Sequence, residues 1–303
     1  MKIVVTGGSG LVGESLQQIM PDAIYLSSKD YDLTSQEQVQ TMFCDLKPDA
    51  VVHLAGRVGG IVDNIKYPAK YYTDNALMNT LLVENARMSN VKRFIGILST
   101  CVYPDVVANY PLTEEMLHVG PPTPTNFAYG YAKRCLAVQI DAYNKEYNTQ
   151  YQYLTPCNLY GVNDKFGENS HFVPALLRKI YDAKINRASE ILLFGSGKPL
   201  RQFMLVDDFA KVIKLCLEQN IYESFNVATD QNLSIDEIAR LALKACDAEH
   251  LKLVYDDSMP DGQFRKDVSI EKLKKSIPTF KAKDLKIGLK ETYEILSRKW
   301  DAS

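Results

Sequence analysis

Short runs of consecutive apolar residues alternate with longer stretches in which apolar positions recur every three or four residues, and this rhythm organises the first half of the chain. The runs KIVVT (Lys2–Thr6), AIYL (Ala23–Leu26), AVVHLA (Ala50–Ala55) and RFIGIL (Arg93–Leu98) have no regular polar alternation and predict strands buried on both faces. Between them, Leu11–Met20, Gln36–Leu46, Asn75–Ser89 and Ala128–Tyr147 have helical spacing. Such alternation predicts an α/β fold with a Rossmann-type, doubly wound parallel sheet.

The rhythm loosens after YQYLTPCNLYG (Tyr151–Gly161), where a loop rich in Asn, Asp, Gly and Ser runs to Ser170. A helix, HFVPALLRKIYDAK, follows, and then a long string from Ile191 to Gln219 whose final helix can return to the sheet. From about Asn232 the chain reads as two or three helices and a few short strands. The expected division is a nucleotide-binding Rossmann domain of residues 1–165 plus about 203–227. A smaller, discontinuous C-terminal α/β substrate domain takes 166–202 and 228–303. No internal repeat or low-complexity segment interrupts this plan.

Composition narrows the partner class. With 303 residues the chain can bury a substantial core, and a net charge of −2 gives no global basic field for nucleic acid or an acidic membrane. A small-molecule partner fits better. The N-terminus turns to glycine too soon for the apolar core of a signal peptide, and no stretch approaches the ~20 apolar residues that span a bilayer. The six cysteines are scattered without a CxxC pair, which points to reduced thiols in the cytoplasm and to no metal site.

Directly after the first strand, TGGSGLVG sets Gly7, Gly10 and Gly13 in a GxxGxxG spacing, with Ser9, Leu11 and Val12 between them. A tight turn, close approach to a pyrophosphate and close helix–strand packing each call for glycine, and the helix N-terminus offers free N–H groups. The second strand ends in LSSKDYDL, where Ser27, Ser28 and Lys29 stand in place of the acid that usually grips a ribose 2′-hydroxyl. Two hydroxyls and an ammonium suit a 2′-phosphate, so NADP(H) is the expected cofactor. Asp30 would reach the ribose if the strand ended one residue later.

NFAYGYAKR places Tyr129 and Lys133 one helical turn apart on one face. An ammonium beside a tyrosine favours the phenolate, and Ser99, at the carboxyl end of the fourth strand, lies where open α/β sheets bind ligands. Glycine loop, strand-end serine and YxxxK in this order resemble the extended short-chain dehydrogenase/reductase family. The resemblance implies that Tyr129 moves the proton, Ser99 orients a carbonyl, and Lys133 tunes Tyr129 while holding the nicotinamide ribose.

Five further strings resemble the branch of that family that acts on GDP-4-keto-6-deoxy sugars. They are AGRVGGI (Ala55–Ile61), LSTCVYP (Leu98–Pro104), NSHFVPALLRK (Asn169–Lys179), FGSGKPLRQFMLVDD (Phe194–Asp208) and PDGQFRK (Pro260–Lys266). The resemblance implies a bifunctional enzyme that epimerises C3 and C5 of GDP-4-keto-6-deoxy-D-mannose and then reduces C4 with NADPH. It assigns Cys101 as base and His171 as acid, sets Asn158 near nicotinamide and sugar, and gives Lys179, Phe194, Arg201, Asp261 and Arg265 to the GDP-sugar. It also implies a homodimer through the Tyr129–Lys133 helix. Three residues depart from the branch: Arg57 before VGG, Cys157 in PCN, and Phe194, where an aromatic of the tryptophan type is commoner.

Plainer readings stand beside these. A lone cysteine near a buried strand is usually core, the expectation for Cys44, Cys135, Cys216 and Cys246. His53, His118 and His250 read as structural or solvated. Arg178, Lys179, Arg265 and Lys266 are either nucleotide-sugar ligands or a solvated basic surface. Rival functions are a dideoxy or heptose GDP-4-keto sugar as substrate, or a catalytically silent nucleotide-binding regulator.

Overall fold

The protein is described here from a computed structural model covering residues 1–164, 166, 170–259 and 261–302. The expected boundary at residue 165, and Asn169 and Pro260 of the strings above, lie outside the described residues. In chain order the strands are β1 (Ile3–Thr6), β2 (Ile24–Leu26), β3 (Ala50–His53), β4 (Arg93–Ile97), β5 (Tyr151–Pro156), β6 (Asn158–Tyr160), β7 (Glu190–Phe194), β8 (Leu200–Arg201), β9 (Phe203–Leu205), β10 (Phe225–Val227), β11 (Leu233–Ser234) and β12 (Lys252–Asp256). The helices are α1 (Leu11–Ile19), α2 (Gln36–Leu46), α3 (Ile61–Lys66), α4 (Pro68–Met88), α5 (Phe127–Tyr147), α6 (Phe172–Ile185), α7 (Val206–Glu218), α8 (Ile235–Ala245), α9 (Glu271–Ser276) and α10 (Leu285–Asp301).

Six parallel strands build the main sheet in the order β2-β1-β3-β4-β5-β10. Strands β3 and β4 are buried along their whole length, which is why they read as continuous apolar runs rather than as alternation. The sheet turns from one direction to the other between β1 and β3, so the carboxyl ends of those two strands flank the crevice where such sheets bind ligands. Helix α1 packs on α7, and α4 packs along α5. Phe94 and Tyr151, both fully buried, stack across β4 and β5 with ring centroids 5.5 Å apart.

A second apolar cluster gathers Leu176, Leu177 and Ile180 of α6, Ile238 and Ala242 of α8, and Leu289 and Leu296 of α10. Two parallel pairs, β7 with β12 and β6 with β9, and the antiparallel pair β8 with β11 accompany it. Within residues 228–303, Val268, Leu273 and Ile277 pack instead in the larger cluster, under the main sheet's last strand.

The local differences from expectation have simple causes. Helix α4 starts at Pro68 rather than near Asn75, because its opening turns, PAKYYTD, are too polar for apolar periodicity to reveal them; proline at the first helical position is readily accepted. The strand expected to reach Ala55 ends at His53. Among the described residues no helix is long and apolar enough to cross a membrane.

Candidate active site

The glycine loop between β1 and α1 is a cradle that side chains would fill. Gly7 has a φ of 74°, and a Cβ on it would stand 2.7 Å from the Ala55 nitrogen on the neighbouring strand's exit. A Cβ on Gly13 would lie 2.4 Å from the Gly8 carbonyl oxygen. Gly10 occupies the N-cap of α1 without a side chain to satisfy the first amides, and those N–H groups can serve a diphosphate. Loop and residues Gly7, Ser9, Gly10, Leu11, Val12 and Gly13 therefore fit a dinucleotide at the switch point of the sheet.

The end of β2 resolves the question about Asp30. Its Oδ2 accepts from the Ser27 backbone N–H at 2.7 Å and from the Ser27 hydroxyl at 2.8 Å. Those two bonds hold the carboxyl below its usual range and turn it back onto the chain. Ser28 and Lys29 stay exposed beyond the strand end.

At the end of β4 the chain makes a short 3-10 turn, Thr100–Val102, capped by Ser99, whose hydroxyl accepts from the Cys101 amide at 3.3 Å. This turn delivers the Cys101 sulfur to the site half-buried. The Asn126 side-chain amide and the Lys266 ammonium each donate to Sγ at 3.0 Å. Burial by itself raises a thiol, but the Lys266 charge and the hydrogen bonds from Lys266, Ser99 and Asn126 together bring Cys101 below its ordinary value.

Helix α5 lies against this turn so closely that a Cβ on Gly130 would be 2.6 Å from the Cys101 carbonyl oxygen. Tyr129 and Lys133 share its buried face, with 6% and 2% exposure. Burial first, and then the charge on Cys101, push the Tyr129 phenol well above its ordinary value, while a hydrogen bond with Ser99 pulls it down. The tyrosine is thus a proton donor in waiting rather than a phenolate. Lys133 donates to the Ile97 carbonyl at 2.9 Å, and burial lowers it from 10.5 to about 8. Gly56 keeps room for it, since a Cβ there would approach Nζ to 3.3 Å. Arg57, the departure noted in the sequence, pairs with Asp74 at 3.3 Å and lies over the Tyr71 ring, whose edge meets Tyr129.

The remaining site residues come from the second half of the chain. His171 caps α6, and its Nδ1 is 3.2 Å from Oδ1 of the nearly buried Asp164. Asn158 on β6 donates to the Gln202 carbonyl at 2.9 Å. Arg201 on β8 is drawn electrostatically toward Cys101 and Asp261, although burial lowers its pKa. Lys179 lies 4.7 Å over the Phe194 ring while donating to the Leu192 carbonyl at 2.6 Å, and that ring is 61% exposed.

Two expected ligands are engaged within the protein. Asp261 accepts from the Ser196 amide at 2.6 Å and from its hydroxyl at 2.7 Å, clamping the FGSG turn. Arg265 forms a two-pronged pair with Asp267, at 2.6 and 3.1 Å, and lies over Tyr110. The same segment lines a cavity of about 580 Å³ with Asp105, Tyr110, Thr123 and Phe264. His53 is structural as expected: fully buried, bonded to Thr6 and Asn79, and lowered to about 3 by burial.

Reading by sequence missed Asn126 and Asp164 and left Lys266 undecided. Asp164 carried no motif signal; Asn126 opened the NFAYGYAKR string and Lys266 closed the PDGQFRK string, but neither string pointed to Cys101.

A glycine cradle at the switch point, with Ser99 hydrogen-bonded to Tyr129 and Lys133 one helical turn further along the same buried face, fits a dinucleotide-dependent enzyme that works on a carbonyl. The model of the NAD dependent epimerase/dehydratase family matches residues 3–228. The GDP-L-fucose synthase of Dictyostelium discoideum is 36% identical, over 96% of this chain and 93% of its own. A GDP-L-colitose synthase of Yersinia pseudotuberculosis is 34% identical over 88% of each chain. The crystal structure of a Naegleria fowleri GDP-L-fucose synthetase bound to NADP superposes with a TM-score of 0.89 at 33% identity, covering 99% of this chain and 94% of that one. The chain belongs to the NAD dependent epimerase/dehydratase family, within its group of GDP-L-fucose synthases.

Proposed function

We propose that the enzyme converts GDP-4-keto-6-deoxy-D-mannose to GDP-L-fucose with NADPH, epimerising C3 and C5 before reducing C4. The observation that carries this reading is the Cys101 sulfur, held between two donors and lowered below an ordinary thiol, beside a protonated Tyr129. A ketone reductase alone has no use for such a base.

The C4 ketone makes the protons on C3 and C5 acidic, because the resulting negative charge spreads onto its oxygen. Ser99 and Tyr129 hydrogen-bond that oxygen as charge builds. Cys101 removes the proton from one face of the sugar, and His171, backed by Asp164, returns one to the other face. The half-exposed His171 ring, 45% accessible, is then reprotonated from water, and Cys101 releases to water the proton it took, before the second centre is inverted. Bound NADPH supplies hydride to C4. Tyr129 gives its proton to the C4 oxygen, and its burial, the main cause of its raised pKa, keeps that proton in place until then. Ser28 and Lys29 would hold the 2′-phosphate, Lys133 the nicotinamide ribose, and Arg201, Lys179, Phe194 and Asn158 the nucleotide-sugar. Asp261 and Arg265 would shape the walls around it.

The enzyme acts as a homodimer through α5, in the cytoplasm, where its six unpaired thiols stay reduced.

Incubation with the 4-keto sugar in D₂O, with and without NADPH, tests the reaction. Deuterium at both C3 and C5, and a fucose product when NADPH is present, are expected. Reduction without label would overturn the epimerase reading, and label at only one of the two carbons would favour the dideoxy or heptose alternative, with fewer epimerisations. Sedimentation at micromolar concentration tests the dimer.

A further inference from the structure

We infer that Lys266 is a positioning residue that holds Cys101 as a thiolate, delivered to the sulfur by a segment built to aim it there. The inference deepens the epimerase reading and rests on it for its purpose, but its geometry stands alone. Lys266 is 165 residues from Cys101 in sequence, yet its ammonium donates to Sγ at 3.0 Å.

The neighbours of Lys266 are all fastened. On one side Gln263 donates to the Pro104 and Asp105 carbonyls, at 3.3 and 3.1 Å, immediately beyond the Cys101 turn. On the other, the buried Asp267 holds the Arg265 guanidinium, and its carbonyl accepts from the Leu112 amide at 2.9 Å. Fixed at both ends, the segment spends its conformational freedom before the ammonium meets the sulfur, so the pairing costs only the lysine's own side-chain entropy. Arg265 and Lys266 stand next to each other, and the split between them is clear. Arg265 is neutralised by Asp267, which leaves the Lys266 charge directed to the thiol.

Among the described residues, three charged or titratable groups act on the sulfur. Lys266 comes from this segment, Arg201 from β8, and Tyr129 from α5. Asn126 and Ser99 add hydrogen bonds without charge. Arg201 donates to the Leu200 and Phe264 carbonyls, at 2.8 and 3.4 Å, rather than to Sγ. Of the two cations, then, only Lys266 touches the sulfur, and an opposite charge at contact distance favours the charged form of a thiol most strongly. A base made this way ionises more readily than an ordinary thiol. The arrangement also brings together two parts of the chain that are distant in sequence, so the thiol is activated only where the 261–268 segment is seated.

The test is the pH dependence of iodoacetamide alkylation at Cys101 in the NADPH-bound enzyme, read by mass spectrometry of its peptide so that the exposed Cys44 and Cys135 do not interfere. Wild type should alkylate with a midpoint below that of an ordinary thiol. Lys266→Met and Lys266→Gln should raise the midpoint and slow alkylation at pH 7 about tenfold or more, while Lys266→Arg restores much of it. Deuterium exchange into the sugar should shift its alkaline limb by the same amount. An unchanged midpoint in both neutral variants would overturn the assignment, as would equal impairment in the Arg and Met variants without a shift. A wild-type enzyme whose Cys101 titrates low but places no deuterium in the sugar would support Lys266 and overturn the reaction proposed above.

Discussion

Replacing Lys133 by methionine should make the cofactor-free protein more stable while it destroys catalysis. Lys133 is 2% exposed; among the described residues its ammonium hydrogen-bonds the Ile97 carbonyl and pairs with no carboxylate. Burial lowers its pKa from 10.5 to about 8, and at ~1.4 kcal/mol per pH unit that gap is a cost to the folded state of about 3 kcal/mol. The sign follows from proton counts. Below pH 8 the lysine is charged in both states and the full cost applies. Between pH 8 and 10.5 the unfolded chain holds more protons than the folded one, so stability rises with pH, and above 10.5 the cost is gone.

Methionine fills similar volume without charge, and imperfect repacking and the lost bond give back about 1 kcal/mol. The expected gain is about 2 kcal/mol at pH 7, or roughly 4 °C in Tm for a chain of this size. Thermal unfolding of wild type and Lys133→Met across pH 7 to 10.5, followed by circular dichroism, measures it. The gap should shrink above pH 8 and change sign as pH approaches 10.5, leaving wild type the more stable by up to about 1 kcal/mol once the ammonium is neutral in both states. A methionine variant no more stable than wild type at pH 7, or a gap that does not change with pH, would refute the argument.

Three further outcomes are expected. Gly13→Ala drives a Cβ to 2.4 Å from the Gly8 carbonyl, so NADPH affinity by fluorescence titration should fall at least about tenfold, or ~1.4 kcal/mol. Tyr129→Phe removes the proton donor and should slow C4 reduction by roughly 10²–10⁴-fold in stopped-flow NADPH oxidation, with deuterium exchange at C3 and C5 less affected. Phe94→Ala empties a fully buried site at the centre of the main sheet, and urea unfolding should register a loss of about 3–5 kcal/mol.

The first half of the fold was legible because its information is local. Strands β3 and β4 announce themselves as unbroken apolar runs, the glycines sit at the turn they serve, and Tyr129 and Lys133 lie one helical turn apart. The second half was less so. Residues Val268 to Ile277 belong to the larger apolar cluster, and nothing in their own pattern says which of two cores they join. Among the site residues, Asn126 and Lys266 reach Cys101 across gaps of 25 and 165 residues, and a lysine's neighbours in sequence do not reveal whether its long side chain points to water or to sulfur. Asp30 shows the opposite limit. The residue was visible, but only the turn of its carboxylate onto Ser27 decides that it serves the backbone.

The main sheet closes with β10, paired to β5 across a gap of about seventy residues, and the intervening chain supplies β6, β7, α6 and much of the second cluster. As the chain leaves the ribosome, the large sheet therefore waits, one edge open, until a sizeable part of its companion has been made. Neither lobe can be cut out by a single incision and expected to fold, and a gene fusion or exchange at residue 165 would leave the larger piece with an unpaired edge. The interleaving binds the main sheet and the second apolar cluster into one heritable unit.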